Sequence, residues 1–285
     1  LYLHDSFQLW RRIVRHDAVG VHFDLGLRAF EQQDVARLRQ NRIAIAMLPE
    51  AGTHSVEHLA LSWRLAWLED RRDEALSIAR AICDRYPEDP DGTLELAQIL
   101  FDLDRPAEAV DVLMKGVAAH REDADLWFEL GVAAERIGRD ELRHRAFYEV
   151  WRLEHDDGPE DLLMLTDEMF VAAVEKTLDA LPPAVQEALG NIAILVEDYP
   201  DEWVVADDVA DPRILGLFIG PTTAEEGAVG EVHDGPSRIY IYRWNIERQC
   251  RSPDEVEAQV QITVLHEIGH YLGLDEDALF ARGLS

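Results

Sequence analysis

Basic charge is what this chain has least of. Its 285 residues hold 27 lysines and arginines against 57 aspartates and glutamates, a formal net charge of −30, and the only lysines are Lys115 and Lys176. Such a surface repels polyphosphates and anionic headgroups, so nucleic acid and membrane are both disfavoured as partners. Long apolar runs are missing too, so no segment is expected to span a bilayer. Cysteine is scarce: Cys83 and Cys250 stand far apart without metal or redox spacing, which argues against a disulfide framework and fits a reducing cytoplasm. The first residues mix Tyr2, His4 and Asp5 with apolar ones and do not read as a signal peptide. Arginine standing in for nearly all lysine is the compositional mark of a GC-rich bacterial genome.

Acid is abundant instead, and unevenly placed. Residues 1–157 carry 20 basic and 31 acidic side chains, a net of −11, whereas 158–285 carry 7 and 26, a net of −19. A basic or neutral polypeptide is therefore the visitor that the C-terminal part favours electrostatically. At 47% hydrophobic, the chain has core material for two domains.

The N-terminal half repeats. Asp89, Asp123 and Asp157 are spaced by 34, as are Leu96 and Leu130, Ala97 and Gly131, Ala75 and Ala109, and Thr93 and Trp127. Self-similarity at this period marks stacked helix pairs. Asp-Leu-Trp-Phe-Glu-Leu-Gly at 125–131 resembles the first helix of the tetratricopeptide motif, Arg-Pro-Ala-Glu-Ala-Val at 105–110 the start of its second, and Tyr-Pro-Glu-Asp-Pro-Asp at 86–91 the junction between units. Three units are expected over 56–157, the third degenerate because Arg143 stands where a small alanine belongs. Residues 1–55, helical in periodicity over 7–48, are expected to be capping helices or a decayed repeat. The resemblance implies a helical solenoid that recruits a protein partner.

Towards the other end lies His266-Glu267-Ile268-Gly269-His270. Histidines four apart project from one face of a helix and can grip one zinc ion, and the glutamate between them then serves as general base on a metal-activated water, the chemistry of a metallopeptidase. The pattern would arise by chance in roughly 4% of chains of this composition, so its surroundings must carry the assignment. Ser252 reads as an N-cap, Pro253 as the first helical residue and Glu255 as the partner that closes a capping box. Val256, Val260, Val264, Ile268 and Leu272 form an apolar stripe, and the histidines lie off it on a face shared with Thr263. Gly273 is placed to end the helix and turn the chain back. Asp275, Glu276 and Asp277 follow, three acids that oppose the helix dipole unless a cation sits close by. Spacing puts Glu276 in the slot of a third ligand, with Asp275 as runner-up. Neither a distant glutamate ligand nor a methionine turn is expected, because few residues follow and no methionine occurs after Met169.

A leading helix at Asp167–Leu181, Leu-Pro-Pro with a second short helix, a strand at Ile192–Asp198, Leu-Gly-Leu-Phe at 215–218, Pro-Ser-Arg-Ile-Tyr-Ile-Tyr-Arg at 236–243 and the block from His266 to Leu279 follow one another in order. Together, residues 160–285 resemble the small bacterial zincin-like metallopeptidase domain. The resemblance implies a compact zincin fold, metal binding by His266, His270 and an acid at 275 or 276, and, less directly, peptidase activity. Trp244-Asn245 departs from the Gly-Pro expected after Tyr-Arg, which puts the local turn in question.

Read from its residues, this part is α+β. Ile192–Val196 and Ile214–Ile219 are short apolar runs, and Arg238–Arg243 is rich in β-formers. Residues 238–243 are a candidate edge strand for an extended substrate, or equally a core strand with two exposed arginines. Glu197–Asp211, with seven acids, and Thr222–Gly235 read as long loops. His233 is expected to be a solvent-exposed loop residue, with oxyanion assistance as the alternative. Tyr240, Tyr242 and Tyr271 are available as oxyanion donors, although Tyr271 follows a ligand and should face elsewhere. A rival zinc pattern, His54-Ser55-Val56-Glu57-His58, has no acidic third ligand and reads as a pair of surface histidines.

The expected architecture is thus multidomain: an all-α solenoid (capping helices over 1–55, repeats over 56–157) followed by an α+β zincin-like domain over 158–285. The expected activity is zinc-dependent peptide hydrolysis, with Zn²⁺ on His266, His270 and Glu276 and with Glu267 as base. Its partners would be a polypeptide substrate and a protein bound by the repeats. The alternative is a non-enzymatic scaffold with a structural or vestigial zinc site. Structural sites are usually closed by four protein ligands, so a three-ligand motif favours catalysis.

Overall fold

The period of 34 is written into the backbone. The computed structural model describes residues 17–49, 51–155, 163–190, 192–206, 211–222 and 237–284, and within them Asp70, Asp104 and Gly138 take left-handed φ values of 58°, 56° and 66°. Each sits between the two helices of a hairpin: α3 (Val56–Leu68) and α4 (Arg72–Arg85), α5 (Pro90–Asp102) and α6 (Pro106–Ala119), α7 (Ala124–Arg136) and α8 (Asp140–Glu154). The next amide reaches back across the turn in all three, from Arg71 to the Ala66 carbonyl (2.8 Å), Arg105 to Leu100 (2.8 Å) and Arg139 to Ala134 (2.9 Å). Such bonds satisfy carbonyls that a helix end would leave unpaired. The leading helices are capped in the same rhythm, by Ser55, Asp89 and Asp123, whose side chains accept from the amides of His58, Asp91 and Leu126.

α1 (Ala18–Glu31) and α2 (Val35–Met47) precede them, and their turn is built the same way: Gln33 has φ 55° and the Asp34 amide bonds the Ala29 carbonyl at 2.8 Å. This hairpin therefore has the backbone of a repeat without its side-chain signature. Its helices pack on each other and on α3 through Phe23, Leu27, Phe30 and Leu38. Residues 7–16 and Asp157, part of the periodicity noted above, lie outside the described residues. Between α3 and α5 a charged pair is buried: Arg64 meets Glu95, which also accepts from Trp63 Nε1 (2.7 Å), and the guanidinium lies 4.3 Å from the Trp63 ring centroid.

The chain divides into two compact units, 1–153 and 154–285. The second contains a three-stranded mixed sheet of order β1-β3-β2, with β1 (Ala193–Glu197) parallel to β3 (Arg238–Tyr242) and β2 (Gly216–Ile219) antiparallel to it. α9 (Asp167–Asp179), α10 (Pro183–Leu189), α11 (Glu202–Ala206), α12 (Arg243–Gln249), α13 (Pro253–Tyr271) and α14 (Glu276–Phe280) complete it. The stripe on α13 is buried as its spacing requires: Val256, Val260, Val264 and Ile268 join Phe170 and Val174 of α9 and Ile239 and Ile241 of β3 in one core. Each such side chain contributes about 1.5–3 kcal/mol over its exposed state.

Three expectations are corrected here. Arg238–Tyr242 is the central strand, hydrogen-bonded on both sides, so it offers no edge to a substrate; among the described residues the edge beside α13 is β2. Only Arg238 is exposed. Arg243 is buried, holding Glu247 at 2.9 Å and also pairing with Asp167, and Glu247 in turn accepts from the Met164 and Leu165 amides. The stretch from Glu197 to Asp211 is not wholly loop, because Glu202–Ala206 forms α11; residues 207–210 lie outside the description, as does most of Thr222–Gly235. Where Trp244-Asn245 departs from the expected turn, α12 starts directly after β3, and buried Asn245 donates to the carbonyls of Pro212 (2.9 Å) and Ile214 (2.7 Å). That pins the run into β2.

Candidate metal centre

α13 owes its start to Ser252, which accepts from the Glu255 amide at 3.3 Å, while the Glu255 carboxylate reaches back to the amide of Arg251 at 2.6 Å. This is a capping box displaced by one residue, and it sets the register in which His266 and His270 share a face. Their Nε2 atoms are 2.9 Å apart. Each Nδ1 faces a backbone carbonyl, of Leu284 for His266 (2.5 Å) and of Leu274 for His270 (3.2 Å). A carbonyl only accepts, so each Nδ1 carries the proton and each Nε2 presents a lone pair, the arrangement in which an outer hydrogen bond orients a metal-binding imidazole.

The acids after the helix divide their work. Gly273, at φ 84°, turns the chain, and the Leu274 amide closes on the Gly269 carbonyl at 2.9 Å. Leu279 of α14 then packs where a Cβ on Gly269 would stand, so the glycine inside the motif is what lets α14 lie against α13. Asp275 caps α14, accepting from the Ala278 amide at 2.9 Å. Glu276, the next residue, brings its Oε1 to 3.1 Å from His270 Nε2 and 3.8 Å from His266 Nε2. Two lone pairs and a carboxylate oxygen thus converge, an arrangement that repels itself unless a cation completes it. The N₂O donor set fits zinc, and no other trio of His, Cys, Asp or Glu donors gathers in this way among the described residues.

Glu267 is turned off the histidine face and buried. Burial raises its pKa to about 7, with the neighbouring His266 and the Phe218 backbone opposing the rise and the Glu276 carboxylate adding to it. It lines the same open cleft of ≈ 590 Å³ as His266, His270 and Glu276, with Gly216, Leu217 and Phe218 of β2 forming a wall. The sequence motif named Glu267, but nothing in it pointed to Gly216, the Phe218 amide or the Leu284 carbonyl. Those are backbone features of distant segments and carry no residue-type signal.

The remaining candidates lie elsewhere. Tyr271 is buried and donates to the Ala188 carbonyl at 2.9 Å, away from the cleft as expected. Tyr240 and Tyr242 stack on one another, with Tyr240 against Trp203 of α11, and neither lines the cleft. His233 falls outside the described residues. In the rival motif, His54 belongs to a 3₁₀ turn, whereas His58 is in α3 with its Nδ1 3.2 Å from the Arg42 carbonyl. His58 is buried and not a surface residue, because α2 covers it.

Comparison with known families gives two matches. Residues 189–284 match the zincin-like metallopeptidase family, and residues 66–130, N-terminal to them, match the tetratricopeptide repeat. A search of curated proteins finds no match.

Proposed function

We propose that the zincin-like domain hydrolyses peptide bonds in a polypeptide, with Zn²⁺ on His266, His270 and Glu276, and that the tetratricopeptide repeats recruit the protein on which it acts. The observation that carries this reading is the convergence of three donor atoms beside a buried carboxylate in an open cleft. When bound, zinc supplies Lewis acidity, making water acidic near neutral pH and polarising a carbonyl.

The chain's own residues do the rest. The Leu284 and Leu274 carbonyls hold the imidazoles in the tautomer that leaves Nε2 free. Glu267 takes a proton from the attacking water onto its carboxylate and passes it to the nitrogen of the departing amine. Its carboxylate lines the same cleft as the three donors, which is what puts both transfers within its reach. The edge of β2 is the wall along which an extended substrate would lie. Three donors in place of four leave room for reactants, which favours this reading over a scaffold with a closed structural site. A bacterial cytoplasm as the place of work rests on composition alone, the scarcity of cysteine and the use of arginine for nearly all lysine; no described helix is long and apolar enough to cross a membrane.

The test is Glu267→Gln in the full chain. Zinc content by elemental analysis should stay at that of the parent, while turnover of an unfolded polypeptide falls by about 10²–10⁴-fold. Parental protein that takes up no zinc from metal-replete medium would remove the basis of the proposal.

A further inference from the structure

We infer that Gly216 is a positioning residue for Glu267: the bare backbone at the start of β2 is the slot in which the Glu267 side chain lies. The inference rests on the reading of Glu267 as proton carrier and adds to it the element that holds the carboxylate in place.

A Cβ on residue 216 would stand 2.8 Å from Glu267 Cγ, 2.8 Å from its Oε1 and 3.0 Å from Thr263 Cγ2. Ordinary carbon contacts begin near 3.5 Å, so even one methyl group cannot share this space. Backbone conformation is not the reason for glycine here, since Gly216 is absent from the left-handed residues and any side chain could adopt its φ. A glycine inside a strand marks a place where something must approach closely, and here that is a carboxylate. The strand cannot back away, because Gly216 is in register with Ile241 of the central strand. Thr263, one turn before Glu267 on α13, closes one flank and is itself buried. Two residues along the same strand, the Phe218 backbone lies close enough to the carboxylate to pull its pKa down against burial. Glu267 is thus bracketed by Gly216, Thr263 and the Phe218 amide, and the softest of the contacts is its own terminal group. Alanine at 216 should therefore leave the fold standing and swing the carboxylate out of place.

The experiment uses the zinc-loaded full chain and two readouts. In Gly216→Ala, zinc stoichiometry should match the parent while kcat falls about 100-fold, the scale of an ångström's misplacement of a reacting group. In a Glu267→Gln background the same substitution should change the residual rate by less than about twofold, since the two act as one unit. Independently of activity, ¹⁵N-phenylalanine labelling gives nine amide signals, and Phe218→Leu identifies the one of interest. That signal should move in Gly216→Ala in the direction it moves in Glu267→Ala. A Phe218 signal that stays in place, a kcat within twofold of the parent, an equal loss in the Glu267→Gln background, or loss of zinc would each overturn the inference. A parent that hydrolyses nothing while the Phe218 signal responds would instead overturn the proposed function and leave the positioning intact.

Discussion

The molecule holds two pairs of histidines four residues apart, His54/His58 and His266/His270, and the helices and acids around them differ. The first pair straddles a helix start: His54 is in a 3₁₀ turn, Ser55 is the N-cap and His58 is in the first turn of α3. Only residues within one helix share a face at this spacing, so the pair does not act as a unit. His58 shares with the second pair an Nδ1 that faces a carbonyl, that of Arg42, but it is buried under α2 and belongs to no trio of donors among the described residues. The second pair lies near the end of a helix that runs from Pro253 to Tyr271, has both Nδ1 atoms held by carbonyls, and meets a carboxylate delivered by the next helix. Spacing is common to both. What the candidate metal centre has and the first pair lacks is a continuous helix under both imidazoles and a chain turn that returns an acid to them.

Metal content breaks or confirms this contrast most directly. His266→Ala should abolish stoichiometric zinc, whereas His58→Ala should leave it at the parental value; elemental analysis of the two proteins decides, and zinc lost from the His58 variant would reverse the assignment. Next in size is the division between neighbouring acids. Glu276→Ala should weaken zinc binding by more than the roughly 10–100-fold typical of losing an outer-shell partner, as measured by chelator competition. Asp275→Ala should keep the affinity and cost about 1 kcal/mol of stability through its lost cap. The opposite ranking would make Asp275 the donor.

A smaller effect comes from the first pair as a structural element. Burial lowers the His58 pKa, with the backbone bond to Arg42 opposing it and the charges of Arg42 and His54 adding to it. Between that lowered value and the ordinary one near 6.5, the unfolded chain binds the extra proton, so stability is full above about pH 6.5 and declines as pH falls towards the folded-state value. Urea midpoints followed by helical circular dichroism at pH 7.5 and 5.5 should converge more closely in His58→Gln than in the parent. Equal pH dependence in both would place the burial cost elsewhere. The smallest effect is electrostatic. With 26 acids against 7 basic residues beyond residue 157, added salt should lower kcat/KM for a basic peptide more than for a neutral one. Indifference to salt would mean that the excess acid does not act at the cleft.

Much was legible in the sequence because it depended on periodicity or local chemistry. The repeat of 34 residues follows from periodicity, and the helix cap at Ser252, the apolar stripe of α13 and the turn at Gly273 follow from residues within a few positions of one another. The hairpin of α1 and α2 was less legible, since its turn uses Gln33 where the later repeats use aspartate or glycine. Strand order was not legible at all. Arg238–Tyr242 has the composition of an edge or a core strand alike, and only its pairing with both neighbours makes it central.

The sequence by itself determined that two histidines, a glutamate and following acids would lie on and after one helix, because helical spacing and capping are properties of contiguous residues. The tertiary structure alone decided that Glu276 meets the histidine pair while Asp275 caps a helix, that the Leu284 carbonyl orients His266, that His58 is buried under α2, and that Gly216 opens the space Glu267 occupies. Each of these is a meeting of segments distant along the chain, set by how a sheet and its covering helices close around a core, and no local pattern encodes such a meeting.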